Sequence, residues 1–421
     1  MELKKLANII TAYGIDVLLI FFGLFTLLPF NFRGAMVIVF LLFSIIAGYG
    51  GENKFVLKPF IINSLLFLSY LLSLLYTSNL KSGLGLLTTD LSLIVIPLSF
   101  FLISRNRKIS YKLLLNSQFF PISFFCSCVF LACFIIFKAT FFFKFETNKV
   151  LINPFLKELD TNLFWFSDHP IYLSLAISIS LVISLFLINN NNNKFKFLIY
   201  SGAIIQLIAI IIMSRKGVII ALIIAFLITL LYKYKLSLKT MFYSLFFFGI
   251  IAGIIFAFSL DTIKRFEEVF DNKSYGEVQE FSSTSIRYNI YKCDFALIKE
   301  NLLFGYGIGD VKETLRGCYK NKSEVLYNGN YNSHNQYLGI LLISGVSGLF
   351  IFMYSIVLNF KLFHRRKDYM ASSVLVLFLL VMLFENILDR QNGVILFSLF
   401  INYFAFMNHS LPTPEKKIFD E

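Results

Sequence analysis

Charge is scarce in this chain: Asp, Glu, Lys and Arg make up 15% of 421 residues, whereas 57% are hydrophobic and the mean hydropathy is +0.74. A soluble fold of this length has no interior able to hide so much apolar surface, so part of its solvent must be lipid. Alternation of apolar and polar residues is also missing. The apolar runs are continuous, which excludes a closed β-barrel and leaves helices to satisfy the backbone in hydrocarbon. No Cys/His cluster has metal-ligand spacing, so neither a metal nor another cofactor is expected. Only one Trp stands beside 52 Phe, a bias read as compositional drift and lipid contact rather than a binding signature. No trustworthy small-residue cleavage site follows the first apolar run, so no cleavable signal peptide is expected.

What is present is a series of apolar runs of membrane-spanning length. They fall near 8–30, 34–49, 55–76, 83–103, 118–138, 169–188, 196–213, 217–232, 239–260, 335–360, 371–388 and 391–408. The expectation is an all-α polytopic membrane protein of about twelve transmembrane helices, one integral membrane domain over residues 1–421. Basic residues set its orientation. With the N-terminus cytoplasmic, the inner segments hold nineteen basic residues, among them Lys4, Arg105, Lys194, Lys233, Arg365, Arg366 and Lys416. The short outer turns hold five: Arg33, Lys81, Arg215, Lys216 and Arg390. Both termini are then cytoplasmic, and the net charge of +13 is chiefly an orientation signal. Basic and aromatic residues do not interleave on any soluble surface, so no nucleic-acid partner is expected.

Two long outer loops interrupt the pattern, 139–168 and 261–336. In the second, Ser285 to Asn301 carries a helical stripe of Ile286, Ile290, Phe295, Leu297 and Ile298, with Arg287 near its start. Gly305, Gly307 and Gly309 then end the helix in a tight turn, and the polar stretch to Asn332 reads as irregular. That glycine pattern is GxGxG with no preceding strand, too weak for a nucleotide motif. Cys126, Cys128 and Cys133 lie in one apolar run and read as small hydrophobes. Cys293 and Cys318 share the large loop, where a disulfide is chemically allowed, but spacing does not decide it. Asn189–Asn193 with Lys194 and Lys196 reads as a short inner linker.

Few side chains are suited to chemistry. Arg215, in the turn Ser214-Arg215-Lys216-Gly217, places a cation at the membrane edge against the charge trend. It is either a snorkelling side chain or a phosphate ligand, since a guanidinium matches phosphate oxygens in pairs. Arg287 is either a solvated loop charge or a second such ligand. His334 is the only histidine of the large loop and sits at a helix start, as does His169 in Asp168-His169-Pro170. A helix-start histidine is more often a cap than a catalyst, yet imidazole is the group best suited to accept a hydroxyl proton near neutral pH.

Taken together, these residues resemble the O-antigen ligase and polymerase superfamily of bacterial polysaccharide assembly. The resemblance rests on Arg287, on Glu300-Asn301-Leu302-Leu303-Phe304-Gly305-Tyr306-Gly307-Ile308-Gly309, and on His334-Asn335-Gln336-Tyr337-Leu338. Gly345, Gly348, the 214–217 turn and the Glu385–Gly393 turn extend it over roughly residues 160–400. Leu302 stands where the family's usual proline follows Glu-Asn. The resemblance implies a GT-C-like, metal-independent, inverting glycosyltransferase of the bacterial inner membrane, with the 261–336 loop periplasmic. The donor would be a glycan on undecaprenyl pyrophosphate. The acceptor would be lipid A-core for a ligase or a growing glycan for a polymerase. It makes His334 the expected catalytic base and Arg215 and Arg287 the expected pyrophosphate clamp, with His169, Asn335 and Arg390 as further candidates. A lipid-linked oligosaccharide transporter and a passive scaffold remain as readings from other classes; against a transporter stand the lack of internal repeats and the single concentrated polar loop.

Overall fold

The computed structural model describes residues 14–49, 56–106, 109, 118–145, 152–188, 193–234, 267–280 and 282–407. In chain order its helices are α1 Gly14–Leu27, α2 Phe30–Gly48, α3 Leu57–Ser73, α4 Leu80–Asp90, α5 Ser92–Ser104, α6 Phe119–Phe145, α7 Ile152–Thr161 and α8 Pro170–Leu187. There follow α9 Asn193–Met213, α10 Lys216–Tyr234, α11 Ser283–Glu300, α12 Val311–Lys320, α13 Glu324–Gly329, α14 Gln336–Arg365, α15 Tyr369–Val381 and α16 Gln391–Met407. Six of these are long and apolar enough to cross a membrane, or seven if the α4–α5 pair, bent by 42°, counts as one span. Four shorter apolar helices, α1, α3, α15 and α16, pack with them. Each expected run within the described residues holds a helix; the run 239–260 lies outside them. The count of twelve is therefore not reached by length and hydropathy among the described residues.

Three expectations are corrected. The run 83–103 is not one helix, because the chain breaks at Leu91 between α4 and α5. The run 371–388 is helical only to Val381, and residues 382–390 form a turn with a short 3-10 segment, Ile387–Asp389. The stretch from Gly309 to Asn332 is not irregular, since it contains α12 and α13. Leu315 and Tyr319 of α12 and Leu326 of α13 pack on Ile290, Cys293, Leu297 and Ile298 of α11 and on Leu338 and Leu342 of α14. The polar segment thus has a small apolar core of its own, seated on the first turns of α14. Cys293 and Cys318 are disulfide-bonded, Cα atoms 5.9 Å apart, and pin α11 to α12. The 139–168 loop carries the end of α6 and all of α7. Of the three cysteines in α6, Cys128 is buried whereas Cys126 and Cys133 are exposed.

α8 and α16 form the buried axis of the bundle: 89% of the α8 window and every residue of α16 from Asn392 to Met407 are inside. The helices are apolar all round, as a core position demands, and the small serines 174, 178, 180 and 184 of α8 permit close approach. One end of the bundle gathers Tyr232 against His364, Lys233 over Phe186 and Arg366 bonded to the Ala405 carbonyl at 3.1 Å. The other gathers Arg33, Asp168, Asn392 and the 382–390 turn. Within the bundle runs a chain of amides. Asn359 donates to Asn63 (2.7 Å), Asn63 to Asn402 (2.8 Å) and Asn402 to the Ser398 carbonyl (2.8 Å). In hydrocarbon such groups must satisfy one another, and each bond contributes about 1 kcal/mol. Replacing the middle residue, Asn63→Leu, is expected to lower unfolding free energy in detergent by about 1–2 kcal/mol, because it strands the Asn402 carbonyl oxygen. The triple leucine variant should cost less than the sum of its three single replacements, a comparison that denaturant titration can make.

Candidate functional site

Four chain segments converge at the end of the bundle opposite Lys233 and Arg366. The first is the 214–217 turn. α9 ends at Met213, Ser214 takes a left-handed conformation (φ 49°) and α10 starts at Lys216. A Cβ at Gly217 would lie 2.6 Å from Cβ of Phe384, so the turn is pressed against the residue next to Glu385, and only glycine permits that approach. Lys216 pairs with Glu268 at 3.4 Å, and the same carboxylate oxygen accepts from Ser282 at 3.4 Å, where Ser282 caps α11. Arg215 is thereby held beside the start of α11, and Arg287 sits within that helix's first turns.

The second and third segments are stitched together. Residues 332–336 and 382–389 exchange hydrogen bonds along their length. Asn332 donates to Asp389 (2.8 Å), Ser333 and Asn386 bond each other, Asn335 donates to the Leu383 carbonyl (3.2 Å), the Gln336 amide donates to Met382 O (2.9 Å), and Gln336 Oε1 accepts from Leu388 N (2.7 Å). Asn335 also caps α14, accepting from the amides of Tyr337 and Leu338. Its side chain is committed at both ends to structure. His334 sits in this clasp at φ 45°, with its amide on Asn332 Oδ1 (3.2 Å) and its carbonyl accepting from Tyr291 Oη (3.4 Å).

Glu385 joins the groups. Its Oε1 accepts from Nη2 of Arg287 at 2.6 Å, and its Oε2 lies 3.0 Å from Nδ1 of His334. The carboxylate side chain is 12% exposed, while those of Arg287 and His334 are 30% and 23% exposed, so the acid lies at the base and the two partners reach outward from it. Burial alone would raise the Glu385 pKa. The His334 hydrogen bond and charge, then Arg287 and His169, outweigh burial and pull it down to about 2. The fourth segment brings His169, the residue before α8. Burial first, then the guanidinium groups of Arg215 and Arg390, hold its imidazolium down to about 4, so it is neutral at pH 7. Arg215, Arg390, Glu385 and His334 all act on His169, so the separately nominated residues share one electrostatic neighbourhood. Beneath it, Arg33 is buried against Asp168, which also accepts from Asn392 (2.7 Å) and from the His169 amide (2.8 Å).

The structure therefore brings Arg287, His334 and His169 around Glu385, with Arg215 and Arg390 close by and Asn335 in the supporting clasp. Glu385 is not among the expected site residues: the sequence marks it only as the start of the Glu385–Gly393 turn, and it also stands inside a run read as helical to residue 388. Its signal was an acid at the end of that run, in the same Glu385–Gly393 turn as Arg390. Tyr291 was passed over too; it lies one turn after Arg287 on α11 and reaches His334. Among the described residues no three His, Cys, Asp or Glu side chains gather closely enough to hold a metal ion. What the arrangement can do is bind an anion on arginines and present an oriented imidazole beside it.

On the same helix Asp294 is fully buried beside Tyr319, and neither of its carboxylate oxygens has a hydrogen-bond partner. Burial pushes its carboxyl up to about 8. Folded Asp294 holds a proton that the unfolded chain releases from about 3.8 upward, so stability falls as pH rises between about 4 and 8. His169 and Glu385 act in reverse. Each binds its proton more weakly when folded, so stability falls as pH drops from 6.5 toward 4 and from 4.5 toward 2 respectively. Asp294→Asn is accordingly expected to raise the melting temperature at pH 8 and to change it little at pH 4, as a melting series across pH would record.

Residues 201–353, from within α9 to within α14, match a family model described as O-antigen ligase. No curated protein matches the chain's sequence. The matched region contains Arg215, Arg287, the glycine run and His334; Glu385, His169 and Arg390 lie outside it.

Proposed function

From its place in the O-antigen ligase and polymerase superfamily, we propose that this membrane protein transfers a glycan from a polyprenyl pyrophosphate to an acceptor hydroxyl, at the end of the bundle carrying Glu385. The observation that carries the reading is one largely buried carboxylate gripping both a guanidinium and an imidazole, at 2.6 and 3.0 Å. A carboxylate with its pKa near 2 is ionised at neutral pH and only accepts hydrogen bonds. The neutral His334 ring must then carry its proton on Nδ1, which leaves the Nε2 lone pair free to act as a base. Glu385 thus serves as a positioning residue for His334, and it aligns Arg287 with the same grip.

The chemistry is a displacement at the anomeric carbon. The acceptor oxygen forms a bond to that carbon as its proton passes to Nε2 of His334. The carbon–oxygen bond to the pyrophosphate breaks, and the electron pair departs with the phosphate oxygen. Direct attack inverts the anomeric configuration. Charge grows on the departing pyrophosphate, where Arg215 and Arg287 lower the barrier. Arg287 uses one of five N–H donors on Glu385 and keeps the rest for phosphate. His169, uncharged at neutral pH, offers a hydrogen bond without competing for the anion. We read the donor lipid as undecaprenyl pyrophosphate, the acceptor as lipid A-core, and the working face as the periplasmic side of the inner membrane. No step calls on a metal ion.

The test is glycan transfer by the purified protein from undecaprenyl-pyrophosphate-linked glycan to lipid A-core, with and without EDTA. Wild type should transfer in both. His334→Ala and Glu385→Gln should each lose about 10²–10⁴-fold in kcat, the range for removing or misorienting a base. Arg287→Ala should lose about 10²–10³-fold. Longer lipid-linked chains with no lipid A product would make the protein a polymerase. No transfer to either acceptor by monodisperse wild-type protein would overturn the transferase reading in favour of transport.

A further inference from the structure

The segment between α11 and α12 does not behave as an external turn. α14 is broken within its span at Gly345, which adopts φ 63° and ψ −163°. A break there leaves backbone groups without helical partners, and the 302–307 segment takes them up. Tyr306 N donates to Leu342 O (2.8 Å) and Gly307 N to Ile343 O (2.9 Å), while Val346 N donates to Leu302 O (2.9 Å) and Ser347 N to Leu303 O (3.4 Å). The remaining amides are satisfied on the other flank: Ile308 N by Ser73 Oγ (3.1 Å) and Gly309 N by Thr77 Oγ1 (3.0 Å), with Tyr76 Oη donating to Phe304 O (2.6 Å). Gly305 N bonds Asn301 O at 3.0 Å, so every amide from 305 to 309 has a partner. For residues 305–309 that meets the condition for irregular backbone to sit at membrane depth.

The glycines follow from the same fit. A Cβ at Gly305 would lie 2.5 Å from Leu342 O, one at Gly307 2.6 Å from Thr77 Oγ1, and one at Gly309 2.3 Å from Asn79 O. The loop is a wedge between the end of α3 and the break in α14. Its depth follows from α14 itself, which at about 1.5 Å per residue is longer than the roughly 30 Å hydrocarbon layer. Gly345 lies about 24 Å along the helix from Lys361, inside that layer if the lysine marks the opposite boundary. Leu302, Leu303 and Phe304 are 49%, 65% and 63% exposed. Phe304 lies against the exposed Tyr76 ring just beyond α3, and Leu302 O accepts from the amide of exposed Val346; Leu72, Leu75 and Phe350 on the same two flanks are exposed as well.

We propose that residues 301–309 form a re-entrant wedge in the leaflet nearer the site, with Leu302, Leu303 and Phe304 in contact with phospholipid acyl chains. The wedge ties the end of α11, and with it Arg287, to the bilayer. The inference does not depend on the transferase reading.

Single-tryptophan proteins test it. In a Trp165→Phe background, Leu303→Trp and Phe304→Trp are compared with Phe350→Trp on the outer face of α14 and Asn328→Trp on the loop unit. Each is reconstituted into phosphatidylcholine vesicles free of polyprenyl lipid, with bromine at mid-chain, and challenged separately with aqueous iodide. Tryptophan at 303 and 304 should be quenched by brominated chains as strongly as at 350 and be shielded from iodide, whereas position 328 should show the reverse. Iodide quenching at 303 and 304 comparable to that at 328, without loss to brominated lipid, would overturn the proposal. Phe304→Trp exchanges one exposed aromatic ring for another, so it carries the test if Leu303→Trp does not fold.

Discussion

The geometry of the site depends on one largely buried carboxylate, Glu385. Glu385 would be costly in so enclosed a turn were it not bonded to Arg287 and His334, and those bonds fix where both partners stand. The three residues come from α11, from the segment before α14 and from the turn before α16. The ion pair therefore also docks the large polar segment onto the bundle. A function needing an anion site beside an oriented base is met by the same contact that holds the parts together. The surrounding hydrogen bonds between residues 332–336 and 382–389 keep the turn from relaxing away from it.

Below that contact the membrane imposes the architecture. Several polar side chains inside the bundle pair in short chains, as in Asn359–Asn63–Asn402, since hydrocarbon offers them no other partner. The interruptions in otherwise regular helices, at Leu91 between α4 and α5 and at Gly345 in α14, lie close to the site end. At Gly345 the broken helix has become a template whose exposed amides and carbonyls hold the glycine-rich segment. A run of three alternating glycines thus has a packing origin: each lies too close to a neighbouring oxygen for a side chain.

The helices of the bundle were legible because lipid demands long apolar runs. Each run within the described residues holds a helix, although two of them break early, at Leu91 and Val381. Arg215, Arg287 and His334 were legible as the few residues of suitable chemistry at helix ends on one side. Glu385 was not, because its partner His334 is 51 residues away and apolar sequence surrounds it on the N-terminal side. Where α15 would stop was a tertiary decision, made by Gln336 and Asn335 bonding to Met382 and Leu383. α12 and α13 were missed for a different reason. They are short and polar, and their Leu315, Tyr319 and Leu326 stripe gains meaning only against α11. The Cys293–Cys318 bridge stayed open in the sequence because spacing of 25 residues does not fix the approach of two Cα atoms.

The most direct test of the account is the tautomer of His334. Nitrogen-15 spectra of histidine-labelled protein, with the His334 signal assigned by its loss in His334→Gln, would read it at a pH where the ring is neutral. Glu385 as an ionised acceptor predicts protonated Nδ1 and bare Nε2 in wild type, with that preference lost in Glu385→Ala. A wild-type ring protonated on Nε2, or a spectrum unchanged by Glu385→Ala, would contradict the claim that this carboxylate orients the base.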